Sequence, residues 1–122
     1  MPDKVYRTAI YCRLSREDGD KVESNSIASQ RAICEDYIAR HDDLELVCEP
    51  FVDDGYSGVS FNRPQFKKLE EAIRKGALDC IVVKDLSRFS RNYIDGGRYI
   101  EKIFPQLGIR FIAINDAYDS CL

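Results

Sequence analysis

The sequence predicts an α/β domain with three layers, a mostly parallel central sheet carrying helices on both faces. Three observations point there. Short apolar runs at residues 8–12, 80–83 and 110–114 read as strands, the continuous run 80–83 as one buried on both faces. Stretches with helical periodicity alternate with them, at spacings that suit crossover helices. Two strand ends also run straight into serine and arginine: Arg13-Leu14-Ser15-Arg16 after the first, and Leu86-Ser87-Arg88-Phe89-Ser90-Arg91 after the third. Open α/β sheets bind their ligands at that end of the strands.

Taken in order, a polar lead-in reaches the first strand, Thr8-Ala9-Ile10-Tyr11-Cys12. The charged, glycine-containing run 16–25 reads as a loop. A helix is expected over 26–40, with Ser24, Asn25 and Ser26 as candidate N-caps and Ile27, Cys34 and Ile38 as the buried stripe. Residues 44–52 alternate in polarity, which predicts one half-buried strand near a sheet edge, and Pro50 suits an edge or an ending. The run 53–58 (D-D-G-Y-S-G) is rich in turn formers. The second helix has a start signal in Asn62 and Gln65, spaced as a capping box, with Pro64 in the first turn. Phe66, Leu69 and Ile73 form its apolar stripe and Gly76 is a C-terminal stop. After the third strand, a helix is expected over 93–104, ended by Pro105. Gly96 and Gly97 oppose it by roughly 1 kcal/mol each relative to alanine. The strand 110–114 follows, and residues 115–122 carry no clear pattern.

The 122 residues suit one domain, and 44% hydrophobic content suffices for a core. Eighteen Lys and Arg against 21 Asp and Glu give a net charge of −3. This argues against the segment gripping a DNA duplex alone, since compact DNA-binding modules are usually strongly basic. The five cysteines (Cys12, Cys34, Cys48, Cys80 and Cys121) include no CxxC pair. They read as buried small hydrophobes in a reducing cytosol, with Cys12, Cys48 and Cys80 on strands. No apolar run is long enough to span a membrane, so no membrane partner is expected.

In such a sheet Arg13, Ser15, Arg88 and Arg91 converge on one rim, and the loop before the second helix adds Arg63. A serine hydroxyl among guanidinium groups suits attack on a phosphate, because arginine supplies fixed charge and paired donors that match phosphate oxygens. The only histidine, His41, follows the first helix, away from that rim, which excludes a Ser-His triad. A GxxxxGK[ST] loop is absent, and a CxxxxxR phosphatase loop starting at Cys12 would need arginine where Asp18 stands. Asp53 and Asp54 lie in a turn and read as structural rather than metal-binding. What remains is phosphoryl transfer to serine, with arginines stabilising the pentacoordinate transition state.

Six segments together resemble the catalytic domain of the serine recombinases, in the resolvase–invertase superfamily. They are similar above all to the large enzymes of mobile elements in Gram-positive bacteria. The segments are Tyr11-Cys12-Arg13-Leu14-Ser15, Ser26-Ile27-x-x-Gln30, Asp54-Gly55-Tyr56-Ser57-Gly58, Asn62-Arg63-Pro64-x-Phe66, Leu86-Ser87-Arg88-Phe89-Ser90-Arg91 and Gly108-Ile109-Arg110-Phe111-Ile112-Ala113. The resemblance implies that Ser15 attacks the DNA backbone to form a 5′-phosphoserine linkage. It implies that Arg13, Arg63, Arg88 and Arg91 bind and activate the phosphate, and that Gln30 supports the site. It further implies double-stranded DNA as partner, a homodimer assembling to a tetramer in synapsis, no metal or other cofactor, and a bacterial cytoplasmic, nucleoid-associated location. The family often places an acid directly before the first arginine of the 86–91 segment. Here Ser87 stands there, and Asp85 is the nearest acid that can take its part.

Such proteins continue into a long helix and DNA-binding domains, so residues 1–122 are expected to be a catalytic domain that stops before them. Two rivals are a flavodoxin-like signalling domain and an inactive recombinase paralogue. A receiver would carry acids after its first strand, where this chain has Arg13 and Ser15; the intact serine and arginine set argues against the paralogue. The charge balance predicts that residues 1–122 alone bind DNA very weakly. Fluorescence anisotropy with a duplex at low salt should show no submicromolar, salt-sensitive affinity.

Overall fold

The computed structural model describes residues 4–15 and 26–121. The expected loop 16–25 lies outside the described residues. The element order is β1 (Tyr6–Leu14), α1 (Ile27–Ala39), β2 (Leu44–Leu46), β3 (Phe51–Asp54), α2 (Pro64–Arg74), β4 (Cys80–Val83), α3 (Leu86–Phe89), α4 (Tyr93–Arg98), a π-helical turn (Tyr99–Ile103), α5 (Phe104–Gln106), β5 (Arg110–Ala113), a 3₁₀ turn (Ile114–Asp116) and β6 (Tyr118–Asp119).

β1 is the central strand. It pairs in parallel with β4 through Thr8↔Cys80 to Ile10↔Val82, and β4 pairs in parallel with β5. The two-residue β6 adds the one antiparallel pairing described, to β5. Side chains alternate across the sheet, as the strand period of two requires. Ile10, Cys12, Cys80, Val82 and Ile112 meet Cys34 and Ile38 of α1 on one face. Ala9, Tyr11, Ile81, Val83, Phe111 and Ala113 meet Phe66, Leu69 and Ile73 of α2, with Phe89 and Phe104, on the other. The expected three-layer α/β architecture is therefore the one observed.

Four local expectations differ from the structure. The strand expected over 44–52 is two strands laid end to end along one edge of β1: β2 pairs with Tyr6–Thr8 and β3 with Tyr11–Leu14. The break lies at residues 47–50, where Pro50 has no N–H to give to a ladder. Cys48 falls in that break and is exposed, as is Cys121, so these two are not core thiols. Burial pushes the thiols of Cys12 and Cys80 up to about 12, as befits inert core groups.

The Asn62–Gln65 capping box does not form. Arg63 is the N-cap of α2 and makes no side-chain cap bond. The cap comes from β3: Asp53 accepts the N–H groups of Gln65 (3.0 Å) and Phe66 (2.9 Å), and the same carboxylate accepts the Tyr11 hydroxyl at 2.8 Å. A carboxylate at a helix N-terminus also meets the positive end of the helix dipole.

Pro105 does not end the helical segment. The path widens into the π turn, where Phe104 N–H bonds back to Tyr99 O, and restarts as α5 with Pro105 in its first turn, a position that needs no N–H. The stop comes at Gly108, with φ of 72°, a left-handed conformation that suits glycine. Gly96 also has a physical reason. A Cβ there would stand 2.9 Å from Ser90 Cβ, so glycine lets α4 pack against the end of the arginine segment.

Asp53 ties β1, β3 and α2 together at 1% exposure. Asp53→Ala is expected to cost about 3 kcal/mol, by leaving buried donors unsatisfied and removing a cap. The Tm should fall by roughly 10 °C in differential scanning calorimetry. Asp53→Asn, which keeps one acceptor oxygen, should lose less than half as much.

Candidate active site

The site forms where β1 stops. On the β4 side the ladder ends at Ile10↔Val82, so the peptide groups of Arg13 need other partners. The buried carboxamide of Gln30 supplies them: Oε1 accepts the Arg13 N–H at 3.2 Å, and Nε2 donates to the Arg13 carbonyl at 3.0 Å. Gln30 is held there by α1, whose first turn is capped by Ser26 accepting the Ser29 N–H. Of the three candidate caps, only Ser26 lies among the described residues.

Arg13 is wholly buried, and its guanidinium stitches three segments together. Nε donates to Arg88 O at 3.1 Å, Nη2 to Ser87 O at 2.5 Å and Nη1 to Tyr56 O at 3.0 Å. Nη1 also lies 3.4 Å from Ser15 Oγ, which accepts from it. Ser15 itself is 6% exposed. Arg88 returns the contact by donating from Nη1 to Arg13 O at 3.1 Å. Asp85 and Ser87 flank Arg88 on the inside of the same turn.

The turn-rich loop closes over these groups. Gly58 O accepts the Arg91 N–H at 2.7 Å. A Cβ on Gly58 would stand 2.8 Å from Arg13 Nη2 and 2.9 Å from Arg91 Cγ, so glycine is required by the close approach of two arginines. Arg91 is the exposed member of the set. Phe89, between Arg88 and Arg91, is fully buried against Phe61, Phe66, Phe104 and Phe111, with ring centroids 5.0–5.7 Å away. That aromatic anchor sets where the two arginines leave the core.

Arg63 lies deep beneath the same loop. Its side chain is fully buried over the face of Phe61, at 4.6 Å. Its nitrogens donate to the carbonyls of Ser57, Gly58, Ser60 and Phe89 and to the Tyr11 hydroxyl. In this structure Arg63 shapes the loop and the floor of the site. Burial holds the Tyr11 phenol well above its usual range, so it stays a neutral link between Arg63 and Asp53. Asp53 and Gly58 are among the contributors that sequence reasoning did not assign to the site, with the Tyr56 carbonyl and the Tyr11 hydroxyl. The signal for Asp53 was a helix start without a local cap; that for Gly58 was its place in the Asp54–Gly58 motif.

The remaining candidates lie elsewhere. His41 follows α1 at the opposite end of the sheet, stacked on Tyr37 at 4.0 Å, with Nδ1 2.6 Å from the Tyr37 carbonyl. Among the described residues, no three His, Cys, Asp or Glu side chains cluster as metal ligands would. No helix among them is long and apolar enough to cross a membrane.

The family model described as "Resolvase, N terminal domain" matches residues 8–121. The chain belongs to that family. It is similar to the "Putative DNA recombinase" of Bacillus subtilis (strain 168), with 31% identity over 110 residues. That match covers 90% of this chain and 21% of the relative, so the chain spans about a fifth of that protein's length. Among solved structures it resembles the N-terminal catalytic domain of TP901-1 integrase. The TM-score is 0.82 and the identity 28%, over 95% of this chain and 82% of that one. It also resembles a resolvase family site-specific recombinase from Streptococcus pneumoniae, with a TM-score of 0.76 and 29% identity, over 97% of this chain and 77% of that one. The expected serine recombinase catalytic fold is the one these matches share.

Gly58→Ala tests the packing of the arginines. Overpacking of this kind costs roughly 1–3 kcal/mol. The expected result is a modest loss of Tm by calorimetry, with displacement of the Arg13 and Arg91 side chains visible in a crystal structure of the variant.

Proposed function

We propose that this chain is the catalytic part of a site-specific DNA recombinase that cuts and rejoins DNA through Ser15. The observation that carries the reading is the position of the Ser15 hydroxyl, 3.4 Å from the Arg13 guanidinium at the end of the central strand, where Arg88 bonds the Arg13 carbonyl and Gly58 lies against both Arg13 and Arg91. In the cutting step, Ser15 Oγ forms a bond to phosphorus and the bond from phosphorus to the 3′-oxygen breaks. The hydroxyl proton leaves Ser15, and the departing 3′-oxygen gains a proton to become a free hydroxyl. The product is a 5′-phosphoserine link. Rejoining is the reverse, with a 3′-hydroxyl attacking that link, so the phosphodiester energy is retained and no nucleotide cofactor is consumed.

Arg13, Arg88 and Arg91 are assigned to the phosphate. Fixed guanidinium donors in a water-poor site favour the charge that builds on the phosphoryl oxygens in the transition state. Gln30 acts as a positioning residue by holding the Arg13 peptide. Arg63 is assigned an indirect part in this conformation, through the loop carbonyls and Phe89 that it holds. Double-stranded DNA is the substrate, and homodimers that pair into a tetramer are the working assembly. The setting is the bacterial cytoplasm at the nucleoid, and the reaction uses no metal. The family match and the integrase-like fold support this reading.

The test is covalent trapping with the full-length protein that carries this chain and DNA bearing its recombination site. After quenching in denaturant, protein should be joined to DNA 5′ ends through Ser15, and Ser15→Ala should form no adduct. An adduct that survives in Ser15→Ala, or none from the unaltered protein when site binding and synapsis are demonstrated, would overturn the assignment.

A further inference from the structure

Ser87 occupies a junction that the proposed mechanism leaves unused. Its hydroxyl donates to Asp85 Oδ1 at 2.5 Å. The same oxygen accepts from Arg88 Nη2 at 3.1 Å and Nε at 3.4 Å. Its carbonyl accepts from Arg13 Nη2 at 2.5 Å. One residue therefore touches two of the buried arginines, Arg13 and Arg88, and connects Arg88 to a carboxylate.

Asp85 is placed for this by its own backbone role. It is the N-cap of α3, and Oδ1 accepts the Arg88 N–H at 3.2 Å. Its distance to the Arg88 Nε is 3.6 Å, too long for a direct hydrogen bond, although the opposite charges still attract. The hydroxyl of Ser87 fills that gap. A serine has one proton to give and two lone pairs to accept with, and here the proton goes to the acid while the lone pairs face the guanidinium. Arg88 is 2% exposed, so little water competes for these positions.

We infer that Asp85 and Ser87 form a two-residue positioning relay for Arg88. The carboxylate orients the Ser87 hydroxyl, and the hydroxyl orients the guanidinium, whose Nη1 meets the Arg13 carbonyl beside Ser15. The negative charge of Asp85 reaches Arg88 both across the direct ion pair at 3.6 Å and through the bridging hydroxyl of Ser87. The relay rests on the Ser15 cleavage reading, because its effect is on the rate of that step. Neither residue touches the reacting atoms, so both are positioning residues.

The experiment measures single-turnover formation of the Ser15–DNA adduct at saturating DNA, with the full-length protein carrying this chain. The variants are Asp85→Asn, Ser87→Ala, Ser87→Thr and the Asp85→Asn/Ser87→Ala pair. Asp85→Asn keeps an oxygen to cap α3 and removes only the charge, so it serves even where Ser87→Ala fails to fold. The relay predicts a rate loss of about 10- to 100-fold for Asp85→Asn and for Ser87→Ala at unchanged site affinity, with Tm little changed in Asp85→Asn, and near-normal rates for Ser87→Thr. The double variant should be no slower than the slower single, because both break one chain of contacts. Rates within threefold of normal for Asp85→Asn, a defect in Asp85→Asn tracked by an equal loss of Tm or site affinity, or losses that multiply in the double variant would overturn the relay and leave Ser15 as nucleophile. Absence of any Ser15 adduct from the unaltered protein would overturn the cleavage reading and the relay with it.

Discussion

Burying a guanidinium in a small domain imposes a strict condition. The charge cannot shed its proton, so every donor must find an acceptor inside the protein. This chain buries Arg13, Arg63 and Arg88 to 2% exposure or less. Backbone carbonyls answer most of that demand: those of Tyr56, Ser87 and Arg88 for Arg13, those of Ser57, Gly58, Ser60 and Phe89 for Arg63, and that of Arg13 for Arg88. The loop after β3 and the short helix after β4 take their shapes from this requirement. No buried side-chain nitrogen or oxygen among the described residues lacks a hydrogen-bond partner.

The same condition couples stability to the site. The aromatic cluster around Phe89 supplies the burial that fixes the arginine segment, and the Asp53 carboxylate fixes α2 and the loop before it. Arg63 joins the two systems through the Tyr11 hydroxyl and the Phe89 carbonyl. Changes to these groups act first on folding, and reach the chemistry only through geometry. Arg91 and the Ser87 hydroxyl are different in kind, since little of the fold's apolar burial depends on them.

Much of this was legible in the sequence. The apolar runs and helical stripes gave the layers, because burial on two faces leaves a strong pattern in a strand such as β4. The convergence of Arg13, Ser15, Arg88 and Arg91 followed from topology alone. What could not be read were the partners set by distance in space. Asn62 and Gln65 have the spacing of a cap, yet Asp53 takes the position from another strand. Pro105 reads as a stop, yet a π turn carries the helix past it. Arg63 reads as an addition to the arginine rim from the loop before the second helix, and only the fold reveals the five acceptors that hold it.

The saturation of Arg13 by carbonyls also bears on what the site can select. A ligand that enters must displace an acceptor already in place, so the number of hydrogen bonds before and after is nearly the same. The exchange is close to isodesmic for a neutral ligand, which gains nothing by it. An anion differs, because it adds a charge–charge attraction to the guanidinium that a neutral carbonyl does not supply. Discrimination then depends on ligand charge more than on ligand shape. An arginine site kept full in this way resists water and neutral polar molecules, and yields only to a competitor that brings negative charge.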